Sequence, residues 1–593
     1  MNKKNFLLKY GNSVSIFFLI MSGIAVYSNS FSVPFVLDDI RSIVENSFIK
    51  SFEGFASLEV FERNRPLVDL TFALNYHFGE LRVFGYHLVN LLIHIINGIM
   101  VYFLILLIHS RISSKYQIVD GYRDDLWLVR YVALFTALIF VVHPLQTQAV
   151  TYIVQRYTSM AALFYILSVL LYILGRNRQV SGSNDSLSYV FISFSFLSGL
   201  MAFFSKQNAA SLPAVILLIE FLLYKNKWSE WKKKLYWILP AIAGFVLIVL
   251  FNIGFFSGQG DFSRLLEDVS SLMRETTEIS RWEYLVTQFV VVSKYLIMYM
   301  FPVGQNIDHM HPVLSGFWSG WAPLGSLLLL ALLIAGFCFL KKQAVVSFAI
   351  FWFFITLSVE SSVLPISDTM FEHRLYLPMI GPALATALIA SQWLIKYPRI
   401  VLSLSLCYII ILGIFTFERN KVWQSQVTIW EDSIKKNPEN FRAHTSLALA
   451  FEDQGEKGKA LKHYNRALSI QPDYGFAHLN LGALLGEMGR IEEAEKHFRS
   501  ALKEIPNNAS LLNNLGVNIA IQGNLSKAEK YFRRSLRIDD QHIGARFNLA
   551  ITLLNMNKSN QAMEELEYIL KIDPANADAL EMLEMARRFS AGQ

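Results

Sequence analysis

Two adjacent carboxylates, Asp38 and Asp39, follow the first long apolar run within Phe35-Val36-Leu37-Asp38-Asp39. Neighbouring carboxylates repel each other and resist desolvation at a membrane surface, so the pair marks a candidate site. An aspartate there could act as general base on an attacking hydroxyl; an ordinary solvated turn is the plainer alternative. Farther along, His143-Pro144 precedes Gln146, Gln148, Gln155 and Arg156, which sets Arg156 roughly two turns into an apolar helix. Ser205-Lys206 fills a short turn between apolar runs, and Glu372-His373-Arg374 stands with Tyr376 before another. A cation in or beside a bilayer needs an anionic partner, which a phospholipid-like headgroup supplies. Singly, each could equally snorkel or form a structural ion pair; together they suggest an anion-binding cavity with carboxylates beside it. His87, Asn90, His94 and Asn97 recur at helical spacing on one face. Two histidines two turns apart, about 10 Å along the axis, cannot share one metal ion. His94 and Asn97 therefore read as helix–helix hydrogen-bond partners, whereas His87, nearer a helix end, could line the cavity.

These residues are positioned by apolar helices. A hydrocarbon core of about 30 Å needs about 20 helical residues, and runs such as Val14–Val33, Leu235–Phe256, Pro323–Leu340 and Ile400–Phe417 reach that length. The expected fold is all-α, a polytopic transmembrane bundle over residues 1–417. Spans are expected near 14–33, 87–109, 127–143, 150–175, 187–204, 209–225, 235–257, 283–301, 321–340, 344–360, 375–395 and 399–417. Lys3, Lys4 and Lys9 precede a first run too long for a signal-peptide core, which reads as a signal anchor. Basic loops belong in the cytoplasm: Arg111, Lys115 and Arg123 place 110–126 inside, Arg176 and Arg178 the next, and Lys225, Lys227 and Lys232–Lys234 the one before residue 235. Segments 34–86, 143–150, 205–208 and 258–282 then lie outside. Strict alternation would put Lys341, Lys342, Lys396 and Arg399 outside, against the rule. If 283–301, which carries Lys294, does not cross, those loops return inside and residues 361–374 face outward. The net charge of +6 belongs to loop Lys and Arg and implies no nucleic-acid partner. Cys338 and Cys407 sit inside apolar runs, where a disulfide or metal role is not expected.

Residues 418–593 are charged and rich in Ala and Leu. Pro438, Pro472, Pro506 and Pro574 share one 34-residue register, with Asp540 in the missing slot. Leu447-Ala448, Leu481-Gly482, Leu515-Gly516 and Leu549-Ala550 recur within it, as do Ala460, Ala494, Ala528 and Ala562. This is the tetratricopeptide pattern, four helix pairs over 439–574 and a solvating cap helix, with 418–438 as a connecting helix. Asn480, Asn514 and Asn548 occupy one equivalent position in three successive repeats. Their amides could grip an acceptor peptide backbone whatever its sequence; solvation of an exposed helix face is the alternative.

Several stretches resemble the transmembrane and tetratricopeptide repeat O-mannosyltransferases and their bacterial relatives. They are Asn64-Arg65-Pro66-Leu67, Leu70-Thr71-Phe72-Ala73-Leu74-Asn75-Tyr76, Gly85 through Leu92, His143 through Arg156, and Ser205-Lys206-Gln207-Asn208-Ala209-Ala210. The resemblance is weakest over 250–360. It implies a GT-C glycosyltransferase that inverts at a polyprenyl-phosphate-linked sugar and works on the extracytoplasmic side. It implies an acidic base in the first outer loop, Asp38 with Asp39 orienting. Relatives often carry Glu where this chain has Gln207. The expected donor-phosphate site is Arg156, Lys206, His373 and Arg374, and the expected cavity lining is Arg65, His87, His143, Glu372 and Tyr376. No cofactor is obligatory, since a monophosphate leaves without a metal, although Asp38 and Asp39 could bind a divalent cation. The expected partners are the lipid-linked sugar, an acceptor protein held by the repeats, and the bilayer. Transfer to an envelope lipid or pilin, and a non-enzymatic membrane-anchored scaffold, are the alternatives. Compact loops favour a bacterial inner membrane with periplasmic repeats, or an endoplasmic reticulum membrane with lumenal repeats in a eukaryote.

Overall fold

The computed structural model describes residues 3–52, 55, 65–116, 126–181, 186–224, 279–362, 365–366 and 368–591. These residues are helical, without a β-strand among them, and form two compact units, Met1–Ile429 and Trp430–Gln593.

The first unit contains α1 (Lys3–Tyr27), α2 (Pro66–Gly79), α3 (Val83–Tyr116), α4 (Leu126–Val142), α5 (Arg156–Val180), α6 (Ser186–Ser205) and α7 (Leu212–Ile219). It continues with α8 (Arg281–Met300), α9 (Ala322–Phe339), α10 (Ala344–Leu357), α11 (Ile380–Leu394) and α12 (Pro398–Lys421). Among the described residues six helical stretches are long and apolar enough to cross a bilayer, or seven if the bent pair Leu126–Val142 and Pro144–Val150 is one span. Shorter apolar helices at Gly11–Tyr27, Ala344–Leu357 and Ile380–Leu394 fall where further spans were expected. The expected span 235–257 lies outside the described residues, as do Arg123 and the lysines from 225 to 234.

Two features of the bundle shape the site. The first is the segment after α4, where every side chain from His143 to Val154 is buried. Pro144 lacks an N–H and cannot continue α4, so the chain bends by 52° and proceeds through short helical turns to α5. His143 caps the first turn, accepting from the Leu145 N–H. The second is α8 with its return loop. The Leu314 N–H donates to the Thr287 hydroxyl (2.9 Å), and Phe317 packs edge-on to Phe289. Gly325 in α9 lies so close to the Phe289 carbonyl that a Cβ would come within 2.5 Å. The chain thus returns along α8, and α9 starts beside the N-terminal half of α8.

Polar residues inside the bundle are partnered across helices. His94 Nδ1 meets the Tyr376 hydroxyl at 2.8 Å and its Nε2 the Val141 carbonyl at 3.0 Å, while Asn97 donates to Tyr376 and to the Ser159 carbonyl. At the end of α12, Asn420 donates to the Val26 carbonyl and Asn29, and accepts from Thr151.

The second unit follows the 34-residue register. Gly482 and Gly516 admit the Phe498 and Phe532 rings so closely that a Cβ would lie 2.8 and 2.6 Å from them. The turns within pairs use left-handed residues at one register position, Gly455, Gly489, Gly523 and finally Asn557 (φ 60°), where asparagine is among the better tolerated non-glycine residues.

Candidate active site

The site grows from one short stretch, Tyr152–Thr158, where the chain enters α5. Tyr152 takes the Asp38 main-chain N–H on its hydroxyl (2.9 Å), and the Val154 N–H donates to Asp39 Oδ1 (2.7 Å). Arg156 reaches α2 and α3, the Arg65 guanidinium lies 4.4 Å from the centre of the Tyr157 ring, and the Thr158 hydroxyl meets Lys206 Nζ at 3.2 Å. Seven consecutive residues therefore gather the acidic loop and three of the cations.

The two aspartates differ. Asp39 is fully buried and also accepts from the Val36 N–H with Oδ2 (3.1 Å). Burial pushes its carboxyl up to about 8, against the pull of those two backbone donors, with Asp38 adding to the rise. Asp38 is exposed, and Leu37 before it has φ 54°, a left-handed conformation that is costly for a leucine. Asp38 is the carboxylate presented outward. Each Asp39 oxygen accepts from one backbone donor.

The cations also differ. Arg156 is fully buried and donates to Asn90 (2.6 Å), Thr71 (3.1 Å), Asn75 (2.7 Å) and the Tyr86 carbonyl (2.9 Å), with its guanidinium over Phe72. Its hydrogen bonds go to neutral oxygens rather than to an anion. Lys206 pairs with Glu360 (2.7 Å), whose other oxygen accepts from Asn208 (3.2 Å). Arg374 donates to the carbonyls of Glu360 (3.2 Å), Asp368 (2.6 Å) and Thr369 (3.1 Å). Burial pushes the Glu360 carboxyl up, but Lys206 and Arg374 outweigh it and hold the group below the ordinary carboxylate value. Arg65 and Arg374 lie within electrostatic reach of Lys206, and Lys206 and Arg374 both act on Glu360.

The remaining candidates brace the surroundings. Glu372 Oε1 accepts from the Asn306 N–H (2.5 Å) and meets His309 Nε2 (3.1 Å), pinning the return loop. The His373 N–H donates to Gln148, and its ring stacks on Phe371. His87 Nε2 meets the Val33 carbonyl at 2.8 Å, His143 Nε2 the Tyr299 carbonyl at 3.0 Å, and Tyr376 closes the buried knot with His94 and Asn97. In the repeats, Asn513 donates to Asn514 (3.2 Å) and accepts from Asn548 (2.9 Å), so an amide outside the register links two of the three registered asparagines. Asn480, like those two, is partly exposed.

Sequence reasoning missed Glu360, Asp69, Tyr152 and Thr158. Asp69, which accepts from the Tyr157 hydroxyl at 2.8 Å, falls between two of the quoted stretches. Glu360 sits at the end of an apolar run, where a lone carboxylate was itself a signal.

Tetratricopeptide repeat models match residues 441–474, 479–543 and 520–585. Over more of the chain the similarity is to proteins named protein O-mannosyl-transferases. One from Caenorhabditis elegans is 25% identical over 78% of this chain and 63% of its own length. TMTC3 of Homo sapiens is 25% identical over 76% of this chain and 50% of its own, and TMTC4 of Homo sapiens is 31% identical over 32% and 27%. The chain thus spans about half to three fifths of the length of the first two. Among solved structures, a thermophilic repeat protein of Thermus thermophilus is 22% identical over 30% of this chain and 94% of that one, with a TM-score of 0.25. The resemblance read from the sequence therefore holds: the chain is a homologue of these transferases, an integral membrane protein with tetratricopeptide repeats.

Proposed function

We propose that this chain is a membrane glycosyltransferase that moves a sugar, mannose by the names of its relatives, from a polyprenyl-phosphate carrier to Ser or Thr hydroxyls of proteins. The observation that carries this reading is the convergence of exposed Asp38, Arg65 and Lys206 on the single stretch Tyr152–Thr158. Asp38 takes the proton of the acceptor hydroxyl as its oxygen attacks the anomeric carbon opposite the phosphate, inverting it. Lys206 donates to the departing phosphate, while Arg65 and Arg374 supply positive potential around it. Arg156 holds α2 against α3 and α5, so that Arg65 and Asp69 keep their places. The repeats hold the acceptor chain and raise its local concentration. The return loop after α8 supports the extracytoplasmic placement of the site and repeats, because a helix whose following loop runs back along it makes no net crossing, which leaves Lys341, Lys342, Lys396 and Arg399 inside.

The test is transfer in proteoliposomes from polyprenyl-phosphate mannose to envelope proteins, read by intact mass. A hexose increment with the wild type that vanishes with Asp38→Asn supports the reading. If Asp38→Asn transfers as well as wild type, the catalytic assignment fails; if no protein gains mass, the acceptor class is wrong.

A further inference from the structure

Asp38 is held by less than its role requires unless something fixes Tyr152. The turn Val36–Asp39 contains the left-handed Leu37, a conformation that persists only when its surroundings enforce it. Asp39 anchors one end to Val154, and the Tyr152 hydroxyl takes the Asp38 N–H. A hydroxyl on a tyrosine ring fixes its partner only as well as the ring is fixed. Here the face of that ring stacks on Trp423, with centroids 5.4 Å apart and planes 28° from parallel. Trp423 is 1% exposed. Three residues earlier Asn420 accepts from Thr151, the neighbour of Tyr152, at 2.8 Å. The turn Asn420–Trp423 thus holds the Thr151–Tyr152 step by a hydrogen bond and a ring face, just before the chain passes into the repeat unit.

We infer that Trp423 is a positioning residue for Asp38, acting through the Tyr152 ring. The inference rests on the transferase reading for its kinetic consequence but not for its geometry. Its contact is ring on ring: the Trp423 indole N–H has no hydrogen-bond partner among the described residues. Phenylalanine should therefore replace it and alanine should not.

Two readouts on the full-length chain in proteoliposomes test this. In the first, Asp38→Cys is introduced with Cys338→Ser and Cys407→Ser, and the rate of maleimide labelling is followed against pH. Adding Trp423→Ala should shift this profile and raise the rate several-fold, whereas Trp423→Phe should leave both unchanged. In the second, with Asp38 intact, Trp423→Ala should lower kcat for mannosyl transfer by about 100-fold with KM little changed, the scale of an angstrom's misplacement. Tyr152→Phe, which keeps the stack and removes only the hydroxyl acceptor, should also lower kcat, and serves if Trp423→Ala does not insert. A labelling profile indifferent to both alanine and phenylalanine overturns the brace. A profile that responds while no variant, wild type included, transfers sugar leaves the brace standing and removes the transferase reading.

Discussion

Arg156 and Lys206 are both buried cations near Tyr152–Thr158, yet their environments are opposites. Arg156 meets four neutral oxygens on α2 and α3, and lies against the Phe72 ring. Each of these acceptors is fixed, so the guanidinium works as a rivet, a use that its planar array of donors suits. Lys206 is held by one carboxylate and one hydroxyl, and that carboxylate is shared with Arg374. A compact ammonium on a flexible stem can exchange such a partner for a phosphate. The contrast teaches that burial and charge together do not identify an anion site; what matters is whether the partner can be exchanged.

The strongest way to break this comparison is Arg156→Ala. It orphans buried acceptors at about 1–3 kcal/mol each, and size-exclusion chromatography should show little folded protein. Recovery of folded, monodisperse protein would deny the rivet. Next in size is Lys206→Met, which takes the ion-pair partner from the half-buried Glu360 and leaves it Arg374 and Asn208, at a cost of about 3 kcal/mol or less. The double change Lys206→Met with Glu360→Gln should recover most of the thermal stability and none of the transfer. Should transfer return as well, Lys206 does not serve the phosphate.

A smaller effect concerns pH. Asp39 keeps its proton in the folded chain up to about 8 but loses it near the ordinary 3.8 when unfolded. Unfolding therefore releases a proton throughout this window, and stability falls as pH rises from about 4 to about 8, then levels off. Thermal melts of the wild type against Asp39→Asn should show that slope disappear. Smallest is the repeat face. Asn514→Ala should weaken binding of an extended acceptor peptide by about 0.5–1.5 kcal/mol, read by fluorescence anisotropy, with unchanged helicity. Unchanged affinity would return these asparagines to plain solvation of a helix face.

The sequence by itself determined the parts set by local rules. Helix length against bilayer thickness marked the apolar elements, and the 34-residue recurrence of small and large residues marked the repeats, because each repeat packs chiefly on its neighbours. Asp38 and Asp39, and the cations at 65, 156, 206 and 374, were legible because charge beside apolar runs is rare. Which cation is a rivet, which aspartate faces out, and where Glu360 and Trp423 enter were decided only by tertiary structure. Lys206 and Glu360 stand far apart in the chain, as do Tyr152 and Trp423. The short turns that follow the bend at Pro144 have meaning only once Asp39 from another loop meets the Val154 N–H there. Hydrogen-bond partners drawn from distant helices leave no periodicity in the chain, so only the packed bundle shows whether a buried charge is fixed or exchangeable.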